Sequence, residues 1–107
     1  MSKKYDPITP GEYLVHEFLE PLGITQSRLA SDIDVPISRI NGIIRGTRSI
    51  TVDTALRLAE YFSNSPEMWM NLQNQYDLRV IQNSNWDAIK ARIRNLQDYT
   101  VIQKKCA

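Results

Sequence analysis

The chain is poor in the residues that most often carry catalysis or metal binding. Its 107 residues include one cysteine, Cys106, and one histidine, His16. A single cysteine excludes an internal disulfide and a thiolate cage. One histidine far from it in sequence leaves zinc chemistry and Cys–His catalysis without parts. Glycine is scarce, at four residues, and none of them sits in a run that could cradle a phosphate. With no nucleophile–base pair either, the sequence points away from an enzyme and implies no metal and no cofactor. No run approaches about 18 apolar residues, so no membrane span is expected. The segment Met1 to Pro7 carries lysines with no apolar stretch behind them. It does not read as a signal peptide, and the expected location is the cytoplasm. An excess of one charge sign is also missing: the net charge is +1, so the whole-chain basicity that often marks a nucleic-acid binder is absent.

What is present is an ordinary globular composition, 42% hydrophobic and 23% charged, in a length that suits one modest core. No strand pattern of useful length, internal repeat or low-complexity segment interrupts it. The helices are marked by their starts. Thr9-Pro10-Gly11-Glu12 is a capping box with proline in the first turn. Leu14, Phe18 and Leu22 then form a stripe at spacings of four, closed by Pro21 and Gly23. Thr25 caps a short second helix, Gln26 to about Asp32, whose inner face is Leu29, Ala30 and Ile33. A third helix is predicted from about Pro36 to Arg45, with Gly46 as its stop. Thr51 caps a fourth, with Asp53 in its first turn and Ala55, Leu58, Ala59 and Phe62 on its face. Ser65-Pro66-Glu67 opens a fifth, striped by Trp69, Leu72, Gln73 and Tyr76 and ending near Asn83. The last helix is predicted from about Trp86 to Ile102, with a narrow apolar seam at Trp86, Ile89, Ile93 and Leu96.

Two short helices across a brief break suggest a helix-turn-helix, in which the first helix crosses the DNA backbone and the second enters the major groove. A steep crossing needs a small residue at the contact, and Ala30 fits. The turn needs a residue that tolerates left-handed backbone, and Asp34 stands there. Between Thr25 and Ile50 the charges are Arg28, Arg39, Arg45 and Arg48 against Asp32 and Asp34. Every cation is arginine, the better fork for phosphate and guanine.

A family resemblance rests on these residues. Gln26-Ser27-Arg28-Leu29-Ala30, then Val35, Ile40, Ile43, Ile44, Arg45 and Gly46, resemble the Xre and lambda-repressor class of helix-turn-helix domains. The run Asn41 to Thr51, then Ala55-Leu56-Arg57-Leu58-Ala59, then Ser65-Pro66-Glu67-Met68-Trp69-Met70-Asn71-Leu72-Gln73, resembles the HigA antitoxin family, also named virulence-associated protein I. Ile8 to Glu12 and Leu19 to Ile24 are similar to it as well. The resemblance implies an all-α fold: a lambda-repressor-like five-helix DNA-binding domain with an additional C-terminal helix. It implies an antitoxin of a type II toxin–antitoxin system that neutralises a ribonuclease toxin. Such a protein would also repress its own operon, as a homodimer on a palindromic operator. Two departures stand out: Asp34 replaces the commoner turn glycine or asparagine, and Pro36 stands where serine or threonine usually caps the recognition helix. Residues 1–83 are assigned to the DNA-binding domain, with its motif at about 25–48, and residues 84–107 to a helix and tail that could dimerise.

The candidate DNA contacts follow. Gln26 and Ser27 open the first motif helix, where the class contacts phosphate; the plain alternative is exposed polar surface. Ile37, Ser38 and Asn41 would face the groove, Ser38 and Asn41 toward base edges and Ile37 toward a thymine methyl. Periodicity alone would instead put Ile37 in the core. Arg39 could meet guanine or phosphate, or merely be solvated. Arg45, Thr47 and Arg48 would grip phosphate, which fixes register without reading sequence. Gly42, costly inside a helix, could permit close approach to DNA or be a matter of packing. Ile40, Ile43, Ile44, Leu56, Leu58, Trp69 and Tyr76 are expected in the core. The seam at Trp86, Ile89, Ile93 and Leu96 suits a partner helix or a fold back onto its own domain. Beside the antitoxin, a stand-alone phage-type repressor without a toxin and a protein-binding module with a vestigial motif remain as alternatives.

Overall fold

The computed structural model describes residues 8–99, all helix and connection with no strand among them. Helix α1 is built in three parts: α-helical over Pro10–Leu14, π-helical over Val15–Leu19 and α-helical over Glu20–Leu22. It is followed by α2 (Gln26–Asp32), α3 (Ile37–Arg45), α4 (Val52–Phe62), α5 (Pro66–Asn83) and α6 (Trp86–Lys90), and then a 3₁₀ turn at Leu96–Tyr99.

The capping residues act as their sequence positions require. Thr9 Oγ1 accepts from Glu12 N–H at 3.0 Å while Glu12 Oε1 accepts from Thr9 N–H at 3.0 Å, a reciprocal capping box. Thr25, Thr51 and Ser65 each accept an amide three residues on. Gly23 and Gly46 take the left-handed conformation that ends α1 and α3.

The core is a set of inward stripes. Leu14, Leu29, Ile40, Ile43, Ile50, Ala55, Leu58 and Trp69 are buried together. Around Trp69 gathers an aromatic cluster of Tyr13, Phe18 and Phe62, the Phe18 and Phe62 ring centres 4.6 Å apart and Phe18 5.3 Å from Trp69. Its indole N–H donates to Asn64 Oδ1 at 2.9 Å. Helix α1 crosses α3 closely because Gly11 has no side chain: a Cβ there would collide with the Ile43 carbonyl oxygen and lie 2.6 Å from Ile44 Cα.

Three expectations need correction. The α1 stripe does not run to Leu22, which is 59% exposed, while Leu19 is buried. The π turn explains it: Glu20 N–H bonds the Val15 carbonyl five residues back, so one extra residue enters the turn and Leu19 follows Leu14 inward. Pro21, with no N–H to donate, stands just beyond it. Leu56 is exposed on the outer face of α4, not in the core. Pro36 stands at the capping position, as its place in the sequence implied, and α3 begins at Ile37.

The final helix is much shorter than expected, ending at Lys90. No residue of α6 is fully buried, and its main packing is against α5. A five-residue helix with so little packing cannot extend itself on propensity alone. The chain tightens through bonds from Arg92 N–H to Ile89 O (2.9 Å) and Ile93 N–H to Lys90 O (3.1 Å). Asn95 Oδ1 then accepts from Gln97 N–H at 2.8 Å, a local turn that competes with helix. Trp86 and Ile89 are half-buried, whereas Ile93 and Leu96 are exposed, so the four-residue seam is not one helical face. The expectations for Thr100 to Ile102 and Cys106 lie outside the described residues.

Candidate nucleic-acid interface

Helices α2 and α3 pack directly, with Ala30 buried between them. The turn joining them has one left-handed residue, Asp34 at φ 59°. Aspartate tolerates this better than most residues, because its short polar side chain adds little crowding. Val35 N–H bonds Ala30 O at 3.0 Å and closes the turn. Pro36 then lies at φ −63°, ψ 145°, and no side chain caps the first amides of α3.

At about 100° per residue, Ile37, Asn41 and Arg45 share one side of α3, with Ser38 beside them. Ile37, Ser38 and Arg45 are exposed and Asn41 is half-buried. Ile40 and Ile43, on the other side, are buried. Ile37 thus stays out of the core despite its spacing from Ile40. At the entrance to α2, Ser27 is exposed and Gln26 half-buried.

The loop after α3 is shaped by Gly42. Its carbonyl accepts from Thr47 N–H (2.9 Å), Arg48 N–H (3.1 Å) and Thr47 Oγ1 (3.3 Å). A Cβ on Gly42 would stand 3.0 Å from Arg48 Cβ and 3.6 Å from Thr47 Oγ1. The space that glycine leaves is filled by the protein's own loop, not left open for DNA. The far end of the loop is fixed by buried Gln73, whose Oε1 accepts from Ile50 N–H at 2.8 Å while its Nε2 donates to Asp77 Oδ1 at 3.0 Å. Thr47 and Arg48 are exposed at the loop's crest. Among the described residues, neither Arg45 nor Arg48 pairs with a carboxylate.

Other arginines are engaged. Arg28 Nε meets Asp32 Oδ2 at 3.4 Å. Arg39 Nη1 and Arg57 Nε both donate to Asp53 Oδ2 at 2.9 Å. Arg57 Nη1 also donates to the carbonyls of Ile33 (2.8 Å) and Asp34 (3.1 Å), in the turn of the motif. The Arg57 hydrogen bond, followed by that from Arg39, holds the Asp53 carboxyl below its ordinary range despite some desolvation. Tyr61 donates to Asp32 Oδ2 at 2.6 Å, which raises the phenol's pKa. These ties frame a groove of about 600 Å³ between α4 and the turn.

The sequence placed Asp53 in the first turn of α4 as a favourable end charge, and its spacing of four from Arg57 is a familiar pairing signal. It gave no signal for the reach of Arg57 to two carbonyls more than twenty residues away. Gln73 was legible as part of a buried stripe, but not as the clasp of a distant loop. Among the described residues no group of three or more His, Cys, Asp or Glu side chains could hold a metal, and no helix is long and apolar enough to cross a membrane.

The helix-turn-helix family model matches residues 15–69. Virulence-associated protein I of Dichelobacter nodosus is 47% identical over 75 residues, 70% of this chain and 69% of that protein. Antitoxin HigA-1 of Vibrio cholerae is 40% identical over 75 residues, 70% of each chain. The solved structure of Pseudomonas aeruginosa antitoxin HigA with the higBA promoter superposes with a TM-score of 0.80 at 40% identity, covering 84% of this chain and 98% of that one. The family is one of antitoxins and transcription regulators, not of enzymes. A helix-turn-helix built from α2 and α3, matched at this identity and coverage, makes this chain a member of the helix-turn-helix family that includes the HigA antitoxins and virulence-associated protein I.

Proposed function

We propose that this chain is the antitoxin of a type II toxin–antitoxin pair, that it neutralises a ribonuclease toxin, and that it represses its own operon from a palindromic operator. The observation that carries the DNA-binding part is the exposed side of α3 beside Arg45 and Arg48, which pair with no carboxylate among the described residues. The solved HigA complex with a promoter supports the same reading. Gln26 and Ser27 would meet one phosphate strand. Ile37, Ser38 and Asn41 would enter the major groove, where hydroxyl and amide groups read base edges and an aliphatic group meets a thymine methyl. Arg45, Thr47 and Arg48 would hold the adjoining phosphates.

One motif covers a single half-site, so a palindrome calls for a twofold dimer. We assign self-association to residues 84–107, through the arm that α6 forms with the end of α5. Leu78, Ile81, Ile93 and Leu96 are exposed there, and Trp86 and Ile89 are half-buried. The toxin reading rests on the family's antitoxins alone.

Co-expression with the neighbouring reading frame, followed by a mobility shift on the DNA upstream of both, tests the whole assignment. Co-purification of a small ribonuclease and a salt-sensitive shift are expected. A shift without a toxin would leave a stand-alone repressor, and no shift would remove the autorepressor. Within that assay Arg48→Ala should weaken binding to all sequences alike and flatten the salt slope by about 1. A change confined to sequence preference would overturn its assignment to phosphate.

A further inference from the structure

The recognition helix is attached to the rest of the domain unequally. On one side Ile40 and Ile43 enter the core, and α1 packs closely against α3 through Gly11. On the side toward α4 the two backbones are barely in contact, and the nearby groove separates α4 from the motif's turn. Beside the buried apolar cluster that Ile40, Ala55 and Leu58 share, the interval is spanned by polar side chains. Arg39 leaves α3 on that side, about 160° around the helix from Asn41. Its side chain is 30% exposed, with Nη1 on Asp53 Oδ2. The same carboxylate oxygen receives Arg57, whose second nitrogen holds the Ile33 and Asp34 carbonyls. One planar guanidinium therefore ties α4 to the turn, and one carboxylate extends that tie to α3.

We propose that Asp53, with Arg57 and Arg39, is a positioning device that sets the angle of the recognition helix, and that Arg39 serves it instead of touching DNA. The proposal rests on the DNA-binding reading above and deepens it. Two arginines on one carboxylate leave a net positive tie, so no charge is stranded when DNA approaches. Arginine suits the role because its rigid fork serves a carboxylate and two carbonyls at once, which lysine cannot do. The competing account makes Asp53 a decoy that holds a contact arginine back from DNA. The two differ in the sign of one measurement.

The test uses the full chain and a duplex of the DNA upstream of its own reading frame, titrated at several salt concentrations. Positioning predicts that Asp53→Asn and Arg39→Met each weaken binding roughly five- to thirtyfold. The salt slope should be unchanged, and the double variant should be little worse than either single one. Arg57→Lys, which keeps the charge and loses the fork, should weaken binding as well. If Asp53→Asn tightens binding and Arg39→Met flattens the salt slope by about 1, Arg39 is a phosphate contact and the proposal is wrong. Hydrogen exchange on the DNA-free protein reads the device even if no duplex binds. Amides of α3 should exchange faster in Arg57→Lys and Asp53→Asn while those of α5 keep their protection. Unchanged α3 protection in both variants would overturn the proposal without touching the DNA-binding assignment.

Discussion

The first half of α5 and the second half of the same helix live in different surroundings. From Pro66 to Tyr76 it supplies Trp69 to the aromatic cluster and Gln73 to the loop behind α3, and both are buried. From Asp77 onward every residue is exposed, among them Leu78 at 59% and Ile81 at 51%. Continuous backbone hydrogen bonding carries the helix out of the domain, and the short α6 packs against the same helix. The difference teaches that helix and domain end at different places. The core stops within one turn of Tyr76, while the helix runs on to Asn83.

Substitutions can break or sharpen that contrast. The largest effect belongs to Trp69→Ala, which empties the centre of the cluster and should cost about 3–5 kcal/mol. Urea unfolding would record it as a fall in midpoint with little change in slope. A loss below about 1 kcal/mol would mean that the cluster is not the core. Next is Gln73→Leu, which keeps volume and removes the acceptor for Ile50 N–H. A buried amide left unpaired costs about 1–3 kcal/mol, and the loop carrying Thr47 and Arg48 should lose exchange protection first. On the outer half, Leu78→Ser with Ile81→Ser should change monomer stability by no more than about 0.5 kcal/mol. It should shift sedimentation toward monomer if the arm self-associates. Comparable destabilisation at 69 and at 78 would erase the contrast altogether.

The smallest effect is one of pH. The folded Asp53 carboxyl titrates below its ordinary value. Its contribution is present above the unfolded pKa and is lost only as pH falls through the folded one. The tie should therefore persist from neutrality down to about pH 4 and loosen below it. Stability measured against pH should lose this acid component in Asp53→Asn.

Much of this architecture was legible because local chemistry and tertiary packing agree. Thr9, Thr25, Thr51 and Ser65 cap where they stand, and Gly23 and Gly46 stop helices in the left-handed conformation that glycine adopts without strain. Asp34 was read correctly as the turn residue for the same reason. The failures share a cause. A four-residue period assumes an uninterrupted α-helix, so the π turn in α1 put Leu22 outside and Leu19 inside. The seam from Trp86 to Leu96 assumed a helix that could pay for its own order, but α6 has too little to pack against. At the site, single-residue chemistry was visible and long-range ties were not. Nothing local links Arg57 to the Ile33 carbonyl or Gln73 to Ile50. The exposed face of α3 was found from helical geometry together with the family resemblance, since periodicity alone would have buried Ile37.

The way α3 is held has a consequence for how the protein could change. Its anchoring falls to Ile40, Ile43, Gly42 and Arg39, which lie toward the core, the loop and α4. Ile37, Ser38 and Arg45, on the open side, hold none of those anchors. The two sets of positions are interleaved in sequence yet separate in space. New residues could therefore be written on the open side without redesigning the scaffold beneath. Such a domain could acquire a different target by a few surface substitutions, with its folding instructions left intact.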